Sequence, residues 1–255
     1  MIRNKACNKY RNFFLLVFVT CLILFNFLFA GCGLDVFYDV PAPVVNNPKL
    51  PEIDSLFNEM TFSFVVPVPV SSSGFKVDGT DIYYKIYADQ DVWKTETDNL
   101  RKKDGYDLFS TLNDTYKYQM LKVTNYNESP LIPSRNVVQT VNFRLTDYSD
   151  MDAYSASFSI NGTSSSGGKD WIPIRENGKS FNFGRNDGMN KPVIGNSADN
   201  HNKDKDVNGV NTPNNGKWYV ALFAVTKGHA SDYSNHYSNI LYLGSVAICD
   251  TEANN

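Results

Sequence analysis

Apolar and polar residues alternate with a period of two along several segments of the chain, and this alternation constrains the fold more than any other feature. The apolar positions are Phe62, Phe64, Val66, Val68 and Val70; Ile82, Tyr84, Ile86 and Ala88; Val137, Val141, Phe143 and Leu145; and Ala156, Phe158 and Ile160. Side chains of a strand point alternately to its two faces, so each segment predicts a β-strand with one buried face. Turn pairs such as Asp78-Gly79 and Asn161-Gly162 separate the segments, and no strand–helix rhythm appears. The pattern predicts an all-β, antiparallel sandwich rather than a parallel α/β sheet.

Two local features refine this prediction. Pro67 and Pro69 lie two residues apart in the first predicted strand, so both missing N–H donors fall on one side and favour an edge position. Val92, Trp93, Glu96 and Leu100 have near-helical spacing, which predicts a short surface helix within residues 91–103.

Two segments resemble strands of fibronectin type III domains. Gly79–Tyr87 is similar to the third strand of that fold, and Trp218–Val225, continued to Ile248, is similar to its last two strands. The resemblance implies an immunoglobulin/fibronectin III-like sandwich in which Tyr219 closes a corner through its hydroxyl. The two segments lie far apart, so either one domain over residues 60–250 carries insertions at 91–115 and 184–216, or two sandwiches meet near 146–152. We favour the single domain, because neither half contains a complete strand set.

The N-terminal residues have the layout of a secretory signal. Basic residues precede an apolar stretch from Phe13 to Phe29, and Leu28-Phe29-Ala30-Gly31-Cys32 ends it. This motif resembles the processing site of bacterial, spirochaete-like lipoproteins. The resemblance implies that residues 1–31 are a removed signal peptide, that Cys32 carries palmitate-type acyl chains, and that the protein is anchored to a membrane of the cell envelope, extracytoplasmically. Gly33, in place of Asp, favours the outer over the inner membrane. A plain signal peptide and an uncleaved transmembrane helix are the alternatives, although the run is marginally short to span a bilayer.

The residues after Cys32 predict a tether. Residues 32–59 contain Pro41, Pro43, Pro48 and Pro51 and little apolar periodicity, so we expect an extended linker. Once Cys7 and Cys21 leave with the signal and Cys32 is acylated, only Cys249 remains. It ends an apolar run, which predicts a buried, unpaired thiol.

Charge and motifs argue against several function classes. A net charge of −3 without a basic face does not favour nucleic-acid binding. The three histidines have no zinc-binding spacing, and no nucleophile or phosphate-loop motif occurs. We therefore expect a protein that is not an enzyme and needs no cofactor.

One weak metal motif lies in the polar stretch 184–216, which predicts a long solvated loop. Asp204, Asp206 and Asn208, followed by Gly209, match the first positions of a calcium loop. Asn215 stands where the bidentate Glu belongs, so the motif is half a site. The alternative is a chance match in a polar loop.

The tyrosines provide the remaining hypothesis. Tyr83 and Tyr87 are predicted to form an exposed binding face, because tyrosine covers area at low entropic cost. The alternative is that the abundant aromatic residues fill a β core. Together these features predict a membrane-anchored, non-catalytic binding or structural module with a protein or glycan partner. The alternative is an accessory binding domain of a carbohydrate-active or transport system.

Overall fold

The computed structural model describes residues 17–20, 38–46, 49–69, 74–102, 108–146, 156–184, 189–195 and 203–250. The chain divides into two units, Met1–Phe37 and Tyr38–Asn255. Of the first unit only residues 17–20 are described, and they are helical. Within the described ranges, no helix has both the length and the apolar character needed to cross a membrane. The predicted cleavage and lipidation site at Cys32 lies outside the described residues.

The secondary structure of the second unit is mainly β. The strands are β1 (Val44–Val45), β2 (Phe62–Val66), β3 (Phe75–Tyr87), β4 (Gln119–Met120), β5 (Lys122–Val123), β6 (Ile132–Pro133), β7 (Gln139–Arg144), β8 (Ser157–Ile160), β9 (Ser165–Ser166), β10 (Lys169–Asp170), β11 (Pro173–Ile174), β12 (Val207–Asn208), β13 (Lys217–Ala230), β14 (Asn235–Tyr237) and β15 (Leu241–Cys249). The helices are α1 (Gln90–Lys102) and α2 (Leu108–Ser110); a π-helical turn, Thr111–Thr115, continues α2, and a 3-10 turn spans Phe57–Glu59.

These strands form two main sheets. Sheet A has the order β1-β2-β7-β8. Sheet B has the path β12-β3-β13-β14, with β15 added to β13 and with β4 and β6 added to β3. All these pairs are antiparallel except β12 with β3. Each sheet takes strands from both sides of residues 146–152, so the second unit is one sandwich and not two successive ones.

The core lies between the two sheets and follows the predicted alternation. Phe62 and Phe64 of β2 are buried in one cluster with Ile82, Tyr84 and Ile86 of β3. Burying one such side chain contributes about 1.5–3 kcal/mol, so the alternating faces are the main stabilising feature of the sandwich.

A helical layer covers the outer face of sheet B. Asp89 begins α1 by accepting hydrogen bonds from the backbone N–H groups of Asp91 and Val92 through Oδ1, at 2.8 and 3.1 Å. Leu100 of α1 and Leu112 of the π-helical turn then pack on the outward-facing side chains of β3 and β13. The helix predicted within 91–103 is confirmed, and sheet B is buried on both faces.

The extended linker predicted over residues 32–59 is wrong for the residues from Tyr38 onwards that the structure describes. Val40 is buried, and β1 pairs with β2. The backbone N–H of Ser245 donates to the carbonyl of Pro51 at 2.9 Å. Gly244 permits this approach, because its φ is +128° and a Cβ there would lie 2.7 Å from the same carbonyl oxygen. The segment packs because its apolar residues, although not periodic, find places on the sandwich.

Two further expectations need correction. The first predicted strand is not an edge, because Phe64 and Val65 of β2 have partners in both β1 and β7. Pro67 and Pro69 lie beyond the end of β2, where no ladder bond is lost. Val68 is 41% exposed, outside the strand. Cys249 is buried, as predicted, and forms no disulfide with the described residues.

Candidate functional site

The most concentrated group of charges lies inside the protein around Arg175, which follows β11 and is fully buried. Its Nε and Nη2 atoms donate to the two carboxylate oxygens of Asp206 at 2.7 and 2.8 Å. Nη2 also donates to Oδ2 of Asp204 at 2.7 Å, and Nη1 to the carbonyl of Asn190 at 3.0 Å. This forked contact with carboxylates is the geometry that the planar guanidinium favours.

Neighbouring groups complete this network, which we call the Arg175 cluster. The hydroxyl of Tyr84 donates to Oδ2 of Asp206 at 2.7 Å and accepts a hydrogen bond from the backbone N–H of Glu176 at 2.7 Å. Lys179 Nζ donates to both oxygens of Asp204, at 2.9 and 3.0 Å. Two cationic side chains therefore face two carboxylates. The cluster ties β3, the segment after β11 and the segment before β12 together.

The pKa values of the cluster reflect competition between burial and pairing. Burial disfavours ionisation of Asp204, but hydrogen bonds from Lys179 and the charge of Arg175 outweigh it and hold the pKa of this carboxyl below its usual value. Burial also disfavours the charged guanidinium of Arg175, yet its hydrogen bonds and charge contacts with both aspartates raise its pKa. Asp204 and Arg175 are therefore both charged near neutral pH.

This geometry corrects the sequence interpretation of the calcium motif. Arg175 pairs with the carboxylates of both Asp204 and Asp206, and Lys179 pairs with Asp204, so both carboxylates already have cationic partners. The side-chain amide of Asn208 donates to Oε1 of Glu96 at 3.1 Å. Over the described ranges, no group of three or more His, Cys, Asp or Glu side chains is placed to hold a metal ion. The segment 203–208 is also not a solvated loop, because Asp204, Asp206 and Val207 are buried.

The predicted exposed face at Tyr83 and Tyr87 is wrong as well. Tyr83 is 9% exposed and Tyr87 is fully buried, because the helical layer covers this side of β3. The hydroxyl of Tyr87 donates to Oε2 of Glu96 and is also hydrogen-bonded to the hydroxyl of Tyr118, each at 2.8 Å. The two tyrosines therefore contribute to the core, and the sequence alternative of a core role describes them better.

A buried lysine lies beside Tyr87. Lys85 Nζ contacts Oε2 of Glu96 at 2.8 Å and lies 5.1 Å from the centre of the Tyr87 ring. Burial lowers the pKa of Lys85, and the hydrogen bond and charge of Glu96 only partly offset it. A lysine of this kind can act as a base or a nucleophile where a substrate reaches it. Here α1 covers the amine, so its role is to link β3 to the helical layer.

Among the described residues, two grooves have volumes above 500 Å³. The first, the Trp171 groove, measures about 540 Å³ and lies between the ends of β7 and β8 and the segments around β11. Trp171 and Phe181 border this groove, but they are only 9% and 0% exposed and belong mainly to the core. Short polar side chains line the rest of it: Ser157, Ser180, Asn182 and Asp170. The second, the Lys227 groove, measures about 610 Å³ and is lined by Lys76, Asp78, Lys227 and three prolines, Pro69, Pro130 and Pro133. Both volumes are within the usual range for small-ligand sites.

The residue expected to close a fibronectin-type corner has a different partner. Tyr219 is buried on the outer face of sheet B, and its hydroxyl donates to Oε1 of Gln90 at 3.3 Å. It therefore bonds to the start of α1 rather than to the backbone of a neighbouring turn.

Comparisons of the chain with protein-family models, with curated proteins and with solved structures found no match.

Proposed function

We propose that the protein is a lipid-anchored, non-catalytic binding or structural module of a bacterial cell envelope. The observation that carries this proposal is the position of Cys32, which directly follows the apolar stretch and the small residues Ala30 and Gly31. A hydrophilic sandwich begins only six residues later, at Tyr38. Two or more acyl chains on one cysteine would give a lasting anchor, since each buried methylene contributes about 0.8 kcal/mol.

The non-catalytic part of the proposal rests on the accessibility of the charged groups. Arg175, Asp206 and Lys85 are the most chemically distinctive side chains in the described ranges, and all three are buried. Each is bonded to a partner of opposite charge. Groups arranged in this way stabilise the fold and are not presented to a substrate.

Strand order supports a fibronectin III-like, immunoglobulin-type sandwich. In that fold the third strand pairs with the next-to-last strand, which pairs with the last. β3 pairs with β13, and β13 pairs with the last strand, β15; the short strand β14 lies between these two along the chain. In the opposite sheet, β1, β2 and β7 are neighbours. Additions in this chain include the helical layer, β14 and the parallel strand β12.

Mass spectrometry of the protein purified from membranes tests the anchor. We expect an N-terminal peptide that begins at Cys32 and carries the mass of a diacylglyceryl group with or without an amide-linked acyl chain. Cys32→Ser should abolish both acylation and cleavage and leave a chain that retains residues 1–31, whereas Cys21→Ser, a matched change within the apolar stretch, should be acylated and cleaved like the wild type. An unmodified Cys32, or a chain that retains residues 1–31, would contradict the proposal.

The Trp171 groove favours a second candidate, an accessory glycan-binding domain of a carbohydrate-active or transport system. The short hydroxyl, amide and carboxylate side chains that line this groove suit the hydroxyl groups of a sugar. Glycan-array binding that disappears in Asp170→Ala but persists in Asp232→Ala, a distant exposed control, would support this candidate. Absence of glycan binding by the wild-type protein would eliminate it.

A further inference from the structure

We propose that the end of sheet B at which the folded unit begins rests on the lipid surface, with the turn at Tyr233 as the contact. This inference rests on the lipid anchor proposed above and specifies how the anchored module meets the membrane. It starts from Tyr38, the first residue of the folded unit. The Tyr38 ring stacks on Phe75 at 4.8 Å and meets the edge of His236 at 5.0 Å. Tyr38 is therefore fixed where β3 begins and β14 runs.

The turn between β13 and β14 lies at this same end. The backbone N–H of Ser231 donates to the carbonyl of Gly74, and that of Tyr233 donates to the carbonyl of Ala230, each at 2.9 Å. The turn is thus held in a defined shape beside the start of β3. At its tip Tyr233 is 83% exposed, with its ring parallel to that of His229 at 6.3 Å.

Chain length limits which surface can reach the bilayer. Only residues 33–37 separate Cys32 from Tyr38. Six peptide units span about 20 Å at full extension. The 13 residues of β3 place the opposite end of sheet B roughly 40 Å away. A module acylated at Cys32 therefore keeps the Tyr38 end near the headgroups, while the far end points away from them or lies beside the membrane.

The chemistry of the turn suits this position. Tyrosine is enriched at membrane–water interfaces because its ring is apolar and its hydroxyl can stay hydrated. The exposed charges nearby, Lys76, Asp39 and Asp232, sum to −1, so the contact does not depend on anionic lipid.

Depth-dependent quenching on phosphatidylcholine vesicles tests the proposal with the full acylated protein. A fluorophore is attached at Ser231→Cys, next to the intact Tyr233, or at Val210→Cys. Val210 is 86% exposed and follows β12, which pairs with Ile86 and Tyr87 at the far end of β3. We expect spin-labelled lipids to quench the probe at position 231 several-fold more than the probe at position 210. Adding Tyr233→Ser to Ser231→Cys should reduce this quenching at least twofold.

Two results would overturn the proposal: equal quenching at the two positions, or quenching at position 231 that Tyr233→Ser does not change. Flotation of the protein with the vesicles, measured first, separates a wrong orientation from failure of the anchor. Protein that fails to float contradicts acylation of Cys32, whereas protein that floats but shows equal quenching contradicts only the orientation. The unsubstituted protein reports any labelling of the buried Cys249.

Discussion

Replacing Arg175 by methionine should destabilise the protein more than any surface change of similar size. The substitution keeps most of the apolar volume but leaves the buried carboxylate of Asp206 with only the Tyr84 hydroxyl as a partner. Asp204 retains Lys179. Removing one partner of a buried ion pair costs about 3–5 kcal/mol, because the remaining charge stays desolvated. For a domain of this size each kcal/mol lowers the melting temperature by about 2–4 °C, so we expect a fall of about 6–20 °C.

Urea and thermal denaturation of the mature chain, followed by circular dichroism, measure this loss. Asp206→Asn should cost a similar amount, and the double variant Arg175→Met/Asp206→Asn should lose clearly less than the sum of the two single losses. Glu59→Gln is the surface control, because its partner Lys49 is exposed, and its midpoint should match the wild type. A wild-type midpoint in Arg175→Met, or additive losses in the double variant, would refute a stabilising role for the Arg175 cluster.

Three further outcomes follow from the same geometry. Folding lowers the pKa of Asp204 from 3.8, so the ionised carboxylate stabilises the protein fully above about pH 4. This stabilisation is lost as the pH falls through the pKa of Asp204 in the folded protein. Asp204→Asn should therefore flatten the acid limb of a curve of unfolding free energy against pH. Tyr87→Ser should lower the unfolding free energy by about 3–5 kcal/mol through loss of a buried ring, and Tyr87→Phe by about 1–2 kcal/mol through loss of its hydrogen bonds, both measured in urea. Millimolar calcium should leave the melting temperature unchanged, because Arg175 and Lys179 already pair with Asp204 and Asp206; a rise that Asp206→Asn removes would contradict this.

The alternation of apolar residues was sufficient to predict the sandwich, because it depends only on which side of a strand faces the core. Ile82, Tyr84 and Ile86 face sheet A as expected. The same pattern was misleading for Tyr83 and Tyr87, because a strand covered on both faces has no exposed side. The near-helical spacing within 91–103 predicted the helix, but nothing in its sequence specifies the sheet face on which it packs.

The Arg175 cluster was missed for a different reason. Arg175 follows the apolar run Trp171–Ile174, and a single arginine at such a position usually ends a strand at the surface. Asp204 and Asp206 are about 30 residues further along the chain, in a stretch whose composition predicts a solvated loop. Composition measures the average tendency of a segment to be exposed to solvent. Two carboxylates that pair with one guanidinium are enough to hold part of such a segment in the interior.

The prediction at Asp78-Gly79 failed because glycine has more than one structural use. The pair was interpreted as a turn, but β3 runs through it, with a register shift against β13. Gly79 lies so close to β6 that a Cβ would come within 2.3 Å of the carbonyl oxygen of Ile132. The glycine is therefore required for close strand contact, which only the tertiary structure reveals.

The buried thiol of Cys249, at the end of β15, has a practical consequence. The sandwich obtains its cohesion from packed aromatic side chains and paired charges, and the part of the chain described contains no cystine bridge. Production of the globular portion therefore does not depend on oxidising machinery, and reducing agents in the buffer should leave its refolding yield unaltered.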